Sequence, residues 1–492
     1  MKKYLLEFTV FICGSIVMIF ELVGSRVLGP YLGTSIFVWT SLIGIILGSL
    51  SLGYYLGGKI ADRKATLEGL SLIILFSSIF IILTLTTKYL ILNTITGITE
   101  NLKISSLLSS IILFSPASVL LGIISPYVAK LKIKNITNCG TTVGNLYALS
   151  TAGSIFGTFL AGFFLIPFLG TNNLLILLSL ILIIISIIID IKKIFPFKII
   201  LLVFLIILFS AFKEIKLIFE KNGLVDVDTG YNRIWIYNRL DKNNKEIQSL
   251  LINNEHSSAM YKDSDELVYE YTKYYHLAKH FFPNFKDTLM LGGAGYSFPK
   301  SFLSSYTGAK IDVVEIDPKL TSIARKYFNL KDNKNLSIFH EDARVFLNKN
   351  KKKYDVIFGD AFSSHHSLPY QLTTKEAIEK KYNSLTDNGV VILNIISAID
   401  GEKGNFLQAE YKTYKSIFPQ VYIFPVRNII KGDEVQNLIL VALKSDKKPK
   451  FYSEDKTLNN YLTHLRKLPI NDKLPILTDD YAPVDYYISK TI

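Results

Sequence analysis

The chain has 492 residues, of which 49% are hydrophobic and 19% charged, with a formal net charge of +13 and two cysteines. Two cysteines support neither a disulfide framework nor a cysteine-based metal site. The excess lysines are scattered rather than banded with aromatic residues, which argues against a nucleic-acid-binding protein. Charges are rare before about residue 212 and frequent after residue 221, so the chain combines domains of different kinds.

Long apolar runs fill the N-terminal part of the chain. A helix of about 20 apolar residues spans a bilayer. We expect such spans at 5–28, 36–58, 67–87, 104–128, 143–169 and 172–190, with a shorter seventh run at 197–212. The first run is too long for a cleaved signal peptide and is interpreted as a retained span. Residues 1–220 are therefore predicted to form a multi-pass helical domain in the lipid bilayer of the cell membrane.

Basic clusters in the predicted loops indicate orientation. They comprise Lys2 and Lys3; Lys59, Arg63 and Lys64; Lys130, Lys132 and Lys134; and Lys192, Lys193 and Lys198. The positive-inside rule places these clusters, and with them the N-terminus, in the cytoplasm. A seventh full span would put the remainder of the chain outside, whereas Lys213, Lys216 and Lys221 favour the inside. Because the run 197–212 is short for a hydrocarbon core of about 30 Å, we expect a cytoplasmic soluble domain.

Two features of the apolar half concern packing and charge. Small residues four apart allow close helix contacts in lipid; the pairs are Gly44 and Gly48, Gly53 and Gly57, and Gly153 and Gly157. Glu21 is a carboxylate inside the first predicted span, where a charge is costly. Either it pairs with Arg26, or it lines a polar cavity such as a transporter would need.

The soluble half begins with a small β-subdomain and a connecting helix, predicted over residues 221–287. Apolar alternation predicts strands at 233–240 and 247–252. The polar residues 241–245 between them indicate a hairpin. Residues 265–280 are typical of a helix.

A glycine cluster marks residues 288–318 as one β-α-β unit. Gly292, Gly293 and Gly295 follow an apolar run, and a second apolar run ends at Glu315 and Asp317. Glycines allow a tight turn and close approach of a ligand, and an acidic residue about 20 positions later can accept hydrogen bonds from ribose hydroxyls. The unit predicts a nucleoside site, with a plain strand-to-helix turn as the alternative.

Strands and helices alternate after this unit. The pattern predicts helices at 320–328, 343–350 and 373–385 and strands at 336–339, 354–360 and 390–396. Such alternation gives a mostly parallel sheet covered by helices on both faces. Two further strands, at 421–426 and 438–443, are too close together for a long helix between them and should pair antiparallel. The domain is expected to cover 288–450, followed by a C-terminal helix and tail over 451–492.

Three carboxylates should meet at one edge of this sheet. Glu315, Asp342 and Asp360 each lie at or just after the carboxyl end of a predicted strand, where such sheets bind ligands. Asp342 followed by Ala343 at a helix start can accept a hydrogen bond from the amine of adenine. Asp342 alone is equally typical of an acidic helix N-cap.

The motifs LGGAGY, VVEIDP, HEDARVFL, YDVIFGDAF and TKEAIEKKYNSLTDNGVVILN resemble the spermidine synthase family of aminopropyltransferases. The resemblance covers roughly 228–443. The whole chain, with LTDDYAPVD near its end, is similar to the membrane-fused branch of that family. The resemblance implies a small N-terminal β-subdomain before a seven-strand methyltransferase-like, Rossmann-type sheet.

The resemblance also implies partners and chemistry. Decarboxylated S-adenosylmethionine, or S-adenosylmethionine itself, would be a co-substrate, with no cofactor bound permanently and no metal. The acceptor would be a small amine such as putrescine, and a homo-oligomer is possible.

Roles for individual residues follow from the same resemblance. Glu315 would bind the ribose and Asp342 with Ala343 the adenine, beside Asp317 and the glycines 292, 293 and 295. Asp360 would be the base that deprotonates the attacking amine. The residues of the amine pocket would be Tyr269, Glu270 and His276.

The sequence departs from the family at three positions. Gly295 stands where the family has an aspartate that holds the aminopropyl ammonium group, Ser363 replaces a second aspartate, and Glu270 replaces a glutamine. These departures keep two alternatives open. One is an S-adenosylmethionine-dependent transferase or adenosyl-binding module with a different acceptor, and the other is a transporter with a nucleotide-sensing domain. His365 and His366 are expected in a mobile loop over the site rather than at a metal.

Overall fold

The computed structural model describes residues 4–99, 101–133, 138–190, 195–221, 223–361, 368–427 and 432–490. The chain divides into two compact units. The first comprises 1–222 with 228–230, and the second comprises 223–227 with 231–492. The finer boundaries at residues 287 and 450 remain predictions.

The first unit is helical. Its helices are α1 (Leu5–Leu32), α2 (Ile36–Lys64), α3 (Leu67–Ile98), α4 (Leu102–Lys132), α5 (Cys139–Leu160), α6 (Ile166–Leu169), α7 (Thr171–Ile189) and α8 (Phe195–Lys221). A π-helical turn, Ala161–Leu165, joins α5 to α6. Within the described residues, six helices are long and apolar enough to cross a membrane, with α5 to α6 counted as one. These six match the six predicted spans.

The shorter seventh run lies in α8, whose apolar part is Pro196–Ile207. Lys198 at its start is buried, and its Nζ donates to Ser71 Oγ at 2.6 Å and to the carbonyl oxygen of Asp190 at 2.6 Å. Lys198 therefore binds the carboxyl end of α7, and the cytoplasmic placement of its cluster stays a prediction. Lys134, Lys192 and Lys193 lie outside the described residues, as do the side chains of Lys213, Lys216 and Lys221.

Two of the three glycine pairs lie at close helix contacts. A Cβ added to Gly53 would come 2.2 Å from the carbonyl oxygen of Val119 in α4, and one added to Gly153 would come 2.0 Å from that of Phe11 in α1. Gly57 and Gly157 are similarly crowded, whereas Gly44 and Gly48 meet nothing within 4 Å. The pairs at 53/57 and 153/157 thus let helix backbones approach closely. The expected close helix contact at Gly44 and Gly48 was wrong.

The expected pairing of Glu21 with Arg26 is not formed. Glu21 is 8% exposed, and Arg26 donates to the backbone oxygen of Thr229 at 2.5 Å. Five residues along a helix turn a side chain by about 140°, which points the two groups to different faces. Lys88 is a buried charge that was not predicted, and it donates to Asn172 Oδ1 at 2.5 Å.

The second unit starts with a four-stranded sheet, in the order β1 (Val225–Asp228), β2 (Arg233–Leu240), β3 (Glu246–Ile252) and β4 (Glu255–Tyr261). Strand β3 pairs antiparallel with β2 and β4. The β2–β3 hairpin was predicted, and β1 and β4 were not. The connecting helix begins later than expected, with α9 at Glu270–Lys273, a 3-10 turn at Tyr274–Leu277 and α10 at Ala278–Phe281. Leu267 forms a β-bridge with Met260 across a turn at residues 262–263, which keeps this stretch out of the helix.

A seven-stranded sheet follows, in the order β10-β11-β9-β8-β5-β6-β7. Its strands are β5 (Asp287–Leu291), β6 (Lys310–Val314), β7 (Leu336–Phe339), β8 (Tyr354–Gly359), β9 (Leu385–Ser397), β10 (Gln420–Pro425) and β11 (Gln436–Leu443). Strands β5 to β9 are parallel, while β11 pairs antiparallel with β9 and β10. The predicted methyltransferase-like sheet, with its antiparallel closing pair, is confirmed.

Helices cover both faces of this sheet. They are α11 (Ser297–Ser305), α12 (Pro318–Tyr327), α13 (Ala343–Lys349), α14 (Lys375–Ser384), α15 (Asn405–Lys415), α16 (Lys456–Leu462) and α17 (Val484–Ile488). One apolar layer packs α11, α12 and α16 on the sheet, and the other packs α13, α14, α15 and α17 on the opposite face. Burial of both faces leaves the carboxyl edge of the parallel strands as the expected ligand-binding edge.

Candidate active site

The loops after β5 and β8 touch at Gly292. This residue has φ +96°, and an added Cβ would come 2.4 Å from the carbonyl oxygen of Asp360. The Asp360 N–H donates to the carbonyl oxygen of Leu291 at 2.9 Å. Only glycine combines this left-handed conformation with such close contact. Gly292 therefore brings the glycine loop directly against the residue predicted to be the base.

Glu315, directly after β6, holds the glycine loop in place by accepting hydrogen bonds from its backbone. Its Oε2 accepts from the N–H groups of Gly293 at 2.9 Å and Ala294 at 3.0 Å, and its Oε1 accepts from Asp317 N–H at 3.0 Å. Burial raises the pKa of Glu315, and these three hydrogen bonds oppose that rise. A carboxylate offers about four lone-pair sites, so acceptor capacity remains for a ligand hydroxyl.

Gly295 is enclosed by the small sheet. Its N–H donates to Ser258 Oγ at 3.0 Å, and an added Cβ would lie 2.7 Å from Ser258 Cβ in β4. An aspartate at position 295 would therefore collide with β4 unless that strand moved. Glycine in place of the family's aspartate at this position therefore fits the small space that Ser258 leaves.

Asp317 and Asp342 both cap helices. Asp317 Oδ1 accepts from Lys319 N–H at 3.0 Å at the start of α12. Asp342 Oδ1 accepts from the N–H groups of Arg344 at 2.8 Å and Val345 at 3.0 Å, with Ala343 as the first residue of α13. The N-cap interpretation of Asp342 is therefore realised, and adenine binding through its other oxygen remains a prediction.

Asp360 lies just beyond β8 and is held by two side chains. Its Oδ2 accepts from Tyr271 Oη at 3.1 Å and its Oδ1 from Asn394 Nδ2 at 3.1 Å. Desolvation raises the pKa of Asp360 to about 6, and hydrogen bonds from Asn394 and Tyr271 oppose the rise. A carboxylate with a pKa near 6 is suited to accept a proton near neutral pH.

Aromatic rings surround this carboxylate. Tyr271 stacks on Tyr269 with ring centroids 6.2 Å apart and meets Tyr275 edge-on at 6.1 Å. Tyr275 is fully buried, and its hydroxyl lies close enough to Asp360 to lower the pKa of that carboxyl, although it does not meet hydrogen-bond geometry with any described residue. Its charge interaction with Asp360 contributes to a pKa well above the ordinary tyrosine value, after the larger effect of burial.

The three residues predicted for the amine pocket lie in different surroundings. Tyr269 Oη is 3.4 Å from His256 Nδ1, and burial raises its pKa to about 12. Glu270 is 54% exposed and pairs with Lys273 at 3.0 Å. The structure brings Tyr269 to the tyrosine cluster beside Asp360, and it places Glu270 in a surface ion pair.

His276 is half-buried and packs against aromatic side chains. Its Nδ1 lies 2.7 Å from Tyr306 Oη and its ring meets Phe298 at 5.8 Å. Burial, together with Lys279, lowers the pKa of His276 to about 4, against an opposing effect of Asp455. The geometry is that of a neutral packing residue. Ser363, His365 and His366 lie outside the described residues.

We expect His276 to make the stability of the second unit pH-dependent. Because its folded pKa is below the unfolded value of about 6.5, its contribution is complete above that pH and is lost as the pH falls towards 4. Unfolding free energies of the wild type and His276→Gln, measured from pH 7 to pH 4, should converge by up to about 1.4 kcal/mol per pH unit. Parallel curves for the two proteins would contradict the neutral state.

A small pocket of about 40 Å³ lies beside Asp360, lined by Ala361 and Asn394 and, further in, by Lys381 and Glu410. Lys381 Nζ donates to the carbonyl oxygen of Leu372 and to Tyr414 Oη, each at 2.9 Å. Burial lowers the pKa of Lys381 and raises that of Glu410. In the described ranges no group of three or more His, Cys, Asp or Glu could hold a metal ion.

Comparison with known proteins shows what the second half of the chain resembles. Residues 269–434 match the profile of the spermine/spermidine synthase domain. Over this range the chain is therefore similar to spermine/spermidine synthase domains. A polyamine aminopropyltransferase of Vibrio vulnificus is 31% identical over 149 residues, or 30% of this chain and 48% of that protein. One from Clostridium beijerinckii is 25% identical over 169 residues, or 34% of this chain and 59% of that protein.

The synthase domain match spans only about half the length of these curated relatives. Among solved structures, a probable spermidine synthase from Corynebacterium glutamicum is 22% identical with a TM-score of 0.42, covering 48% of this chain and 85% of that one. Spermidine synthase from Thermotoga maritima is 17% identical with a TM-score of 0.38, covering 50% and 85%.

Sequence reasoning missed Tyr271, Tyr275 and Asn394. Asn394 offered a signal, because it is a polar residue inside an otherwise apolar run on the strand beside β8. The register pairs Gly359 with Leu393, which places Asn394 next to Asp360. The tyrosines carried no such signal, since aromatic residues before a core strand are also typical of packing.

Proposed function

We propose that this protein is a membrane-bound aminopropyltransferase that moves the aminopropyl group of decarboxylated S-adenosylmethionine to an amine such as putrescine. The observation that carries the proposal is Asp360. It combines a pKa raised to about 6 with a position beside the glycine loop that Glu315 fastens. No permanently bound cofactor is needed.

The proposed reaction is a nucleophilic displacement. The neutral amine nitrogen attacks the methylene carbon bonded to the sulfonium, a new C–N bond forms, and the C–S electron pair returns to sulfur. Methylthioadenosine leaves as a neutral thioether. The nitrogen loses its proton to Asp360, so positioning and general-base catalysis by one carboxylate suffice.

The adenosyl part would lie along the carboxyl edge of β6 and β7. Glu315 has acceptor capacity left for ribose hydroxyls. Ala343 is the first residue of α13, and its backbone N–H, which has no partner within the helix, would donate to an adenine edge. Asp342 would accept from the adenine amine through the oxygen that does not cap α13.

The amine would be held by the tyrosine cluster. Positions 295 and 270 supply no carboxylate beside Asp360, since Gly295 is enclosed by Ser258 and Glu270 pairs with Lys273. Tyr269 and Tyr271 present stacked rings there, and aromatic faces attract ammonium groups by cation–π interaction. The lack of a carboxylate from positions 295 and 270 beside Asp360 also supports a second candidate, an S-adenosylmethionine-dependent transferase with another acceptor.

Calorimetric titration of the purified full-length protein tests the nucleoside part of the proposal. Decarboxylated S-adenosylmethionine should bind with one-to-one stoichiometry, and methylthioadenosine should compete with it. Failure of both compounds to bind would overturn the proposed function.

Tyr271→Phe should shift the pH dependence of catalysis. Asp360 must be ionised to accept a proton, so kcat/KM should fall as the pH drops through about 6. The Tyr271 hydrogen bond lowers the pKa of Asp360, and its loss should move the acid limb to higher pH. Tyr452→Phe, at a surface tyrosine 67% exposed, is the control. An unmoved acid limb would refute Asp360 as the titrating base.

The soluble unit is proposed to face the cytoplasm. Adenosyl sulfonium compounds are made there, and the apolar part of α8, Pro196–Ile207, is shorter than the six long helices. A reporter fused after Ile492 should therefore be active only in the cytoplasm. Activity confined to the external compartment would contradict this orientation and would require an external source of the nucleoside.

A further inference from the structure

The segment that contains LTDDYAPVD crosses the helices on one face of the synthase domain. Leu477 is fully buried, and its N–H donates to Thr413 Oγ1 of α15 at 3.0 Å. Its carbonyl oxygen accepts from the Lys375 N–H of α14 at 2.7 Å. The C-terminal segment is thus fixed to two helices immediately before Asp479.

Asp479 forms a two-pronged ion pair with Arg344. Arg344 Nη2 donates to Asp479 Oδ2 at 2.6 Å, and Arg344 Nη1 donates to Asp479 Oδ1 at 3.2 Å. Thr374 Oγ1 also donates to Oδ1, at 2.7 Å, and the Asp479 N–H donates to Glu376 Oε2 at 3.0 Å. The arginine side chain is 15% exposed. Such a bidentate pair fixes direction as well as distance.

Arg344 extends this network to two segments that flank the proposed nucleoside site. It is the second residue of α13, directly after Ala343. Its Nη1 also donates to the carbonyl oxygen of Gln371 at 2.9 Å and to Thr374 Oγ1 at 3.0 Å. Residues 371–374 lead from the loop after Asp360 into α14. One guanidinium therefore joins the start of α13 to the segment that follows the base.

We propose that Asp479 is a positioning residue for adenine recognition. Through Arg344, it holds the start of α13 at a fixed place relative to residues 371–374. The inference rests on the proposed function, which puts adenine at Asp342 and Ala343. Because hydrogen bonds weaken steeply with misalignment, a small displacement of this helix start would weaken contacts to the adenine edge.

A pair of nucleosides separates positioning from mere structural support. The full-length protein is titrated with methylthioadenosine and with methylthioinosine, in which a keto group replaces the adenine amine. Asp479→Asn should weaken methylthioadenosine binding about tenfold and leave methylthioinosine binding unchanged, so the preference for adenine falls by the same factor. Asp480→Asn, at the exposed neighbour, makes the same charge change and should alter neither affinity.

Two further variants guard against a simple folding defect. Arg344→Lys keeps the positive charge but cannot form the bidentate hydrogen bond to Asp479. It should lower the preference for adenine in the same way. Asp479→Glu restores the carboxylate and should recover part of the preference. Unchanged preference in Asp479→Asn and Arg344→Lys, or equal loss of both nucleosides, would overturn the positioning role alone. A wild type that binds neither nucleoside would overturn the proposed function and this inference together.

Discussion

Asp360→Asn should lower kcat about 100-fold or more while leaving the affinity for methylthioadenosine nearly intact. The substitution keeps the size and shape of the side chain but removes the proton acceptor, and a 100-fold loss corresponds to about 2.7 kcal/mol of transition-state stabilisation. Asp360 is held by Tyr271 and Asn394, so the amide should occupy the same place. Steady-state kinetics and calorimetry on the same preparation would measure both quantities.

Asp387→Asn is the matched control, because Asp387 is an exposed aspartate of the same sheet. It should retain full activity. If Asp360→Asn also retained activity on the identified acceptor, the aminopropyl transfer mechanism would have to be abandoned, and only the nucleoside site would stand. A loss of nucleoside affinity equal to the loss of kcat would instead assign Asp360 to binding.

Glu315→Ala should weaken the binding of any adenosyl ligand about 100-fold. The carboxylate is the proposed acceptor for ribose hydroxyls, and charge-assisted hydrogen bonds are worth about 1.5–3 kcal/mol each. It also accepts from the N–H groups of Gly293, Ala294 and Asp317, which would lose their partner. The glycine loop would then lose its fixed position beside Asp360.

Glu315→Gln separates these two contributions. The amide keeps one oxygen acceptor for the loop and removes the charge, so its affinity should lie between those of the wild type and Glu315→Ala. Glu379→Ala, at an exposed position of α14 that is 49% accessible, should change nothing. Unaltered affinity of Glu315→Ala for methylthioadenosine would contradict the ribose assignment.

The architecture was predictable because strong periodicity dictated it. Apolar runs of span length and the alternation after residue 288 each left few competing folds, and the two closing strands had no room for a crossover helix. What failed was local. The helix expected from residue 265 starts at Glu270 because Leu267 bridges to Met260. The Glu21–Arg26 pair failed because a five-residue spacing turns the side chains apart on a helix.

The candidate site divides in the same way. Gly292, Glu315 and Asp360 were found because glycines and strand-end carboxylates are rare enough to attract attention, and the topology brings them to one edge. Tyr271 reaches Asp360 from a helix 89 residues earlier, a contact that no local pattern encodes. At Gly295 the sequence alone showed that the family's aspartate is replaced by glycine. Only the structure shows that Ser258 of β4 leaves no room there for a side chain.

Product analysis tests the central claim most directly. The purified protein would be given an equal mixture of S-adenosylmethionine and its decarboxylated form, with putrescine as the acceptor, and the released nucleosides identified by mass spectrometry. Aminopropyl transfer predicts methylthioadenosine and spermidine in equal amounts, abolished in Asp360→Asn. Release of S-adenosylhomocysteine with a methylated acceptor, or of no nucleoside product from either donor, would contradict it.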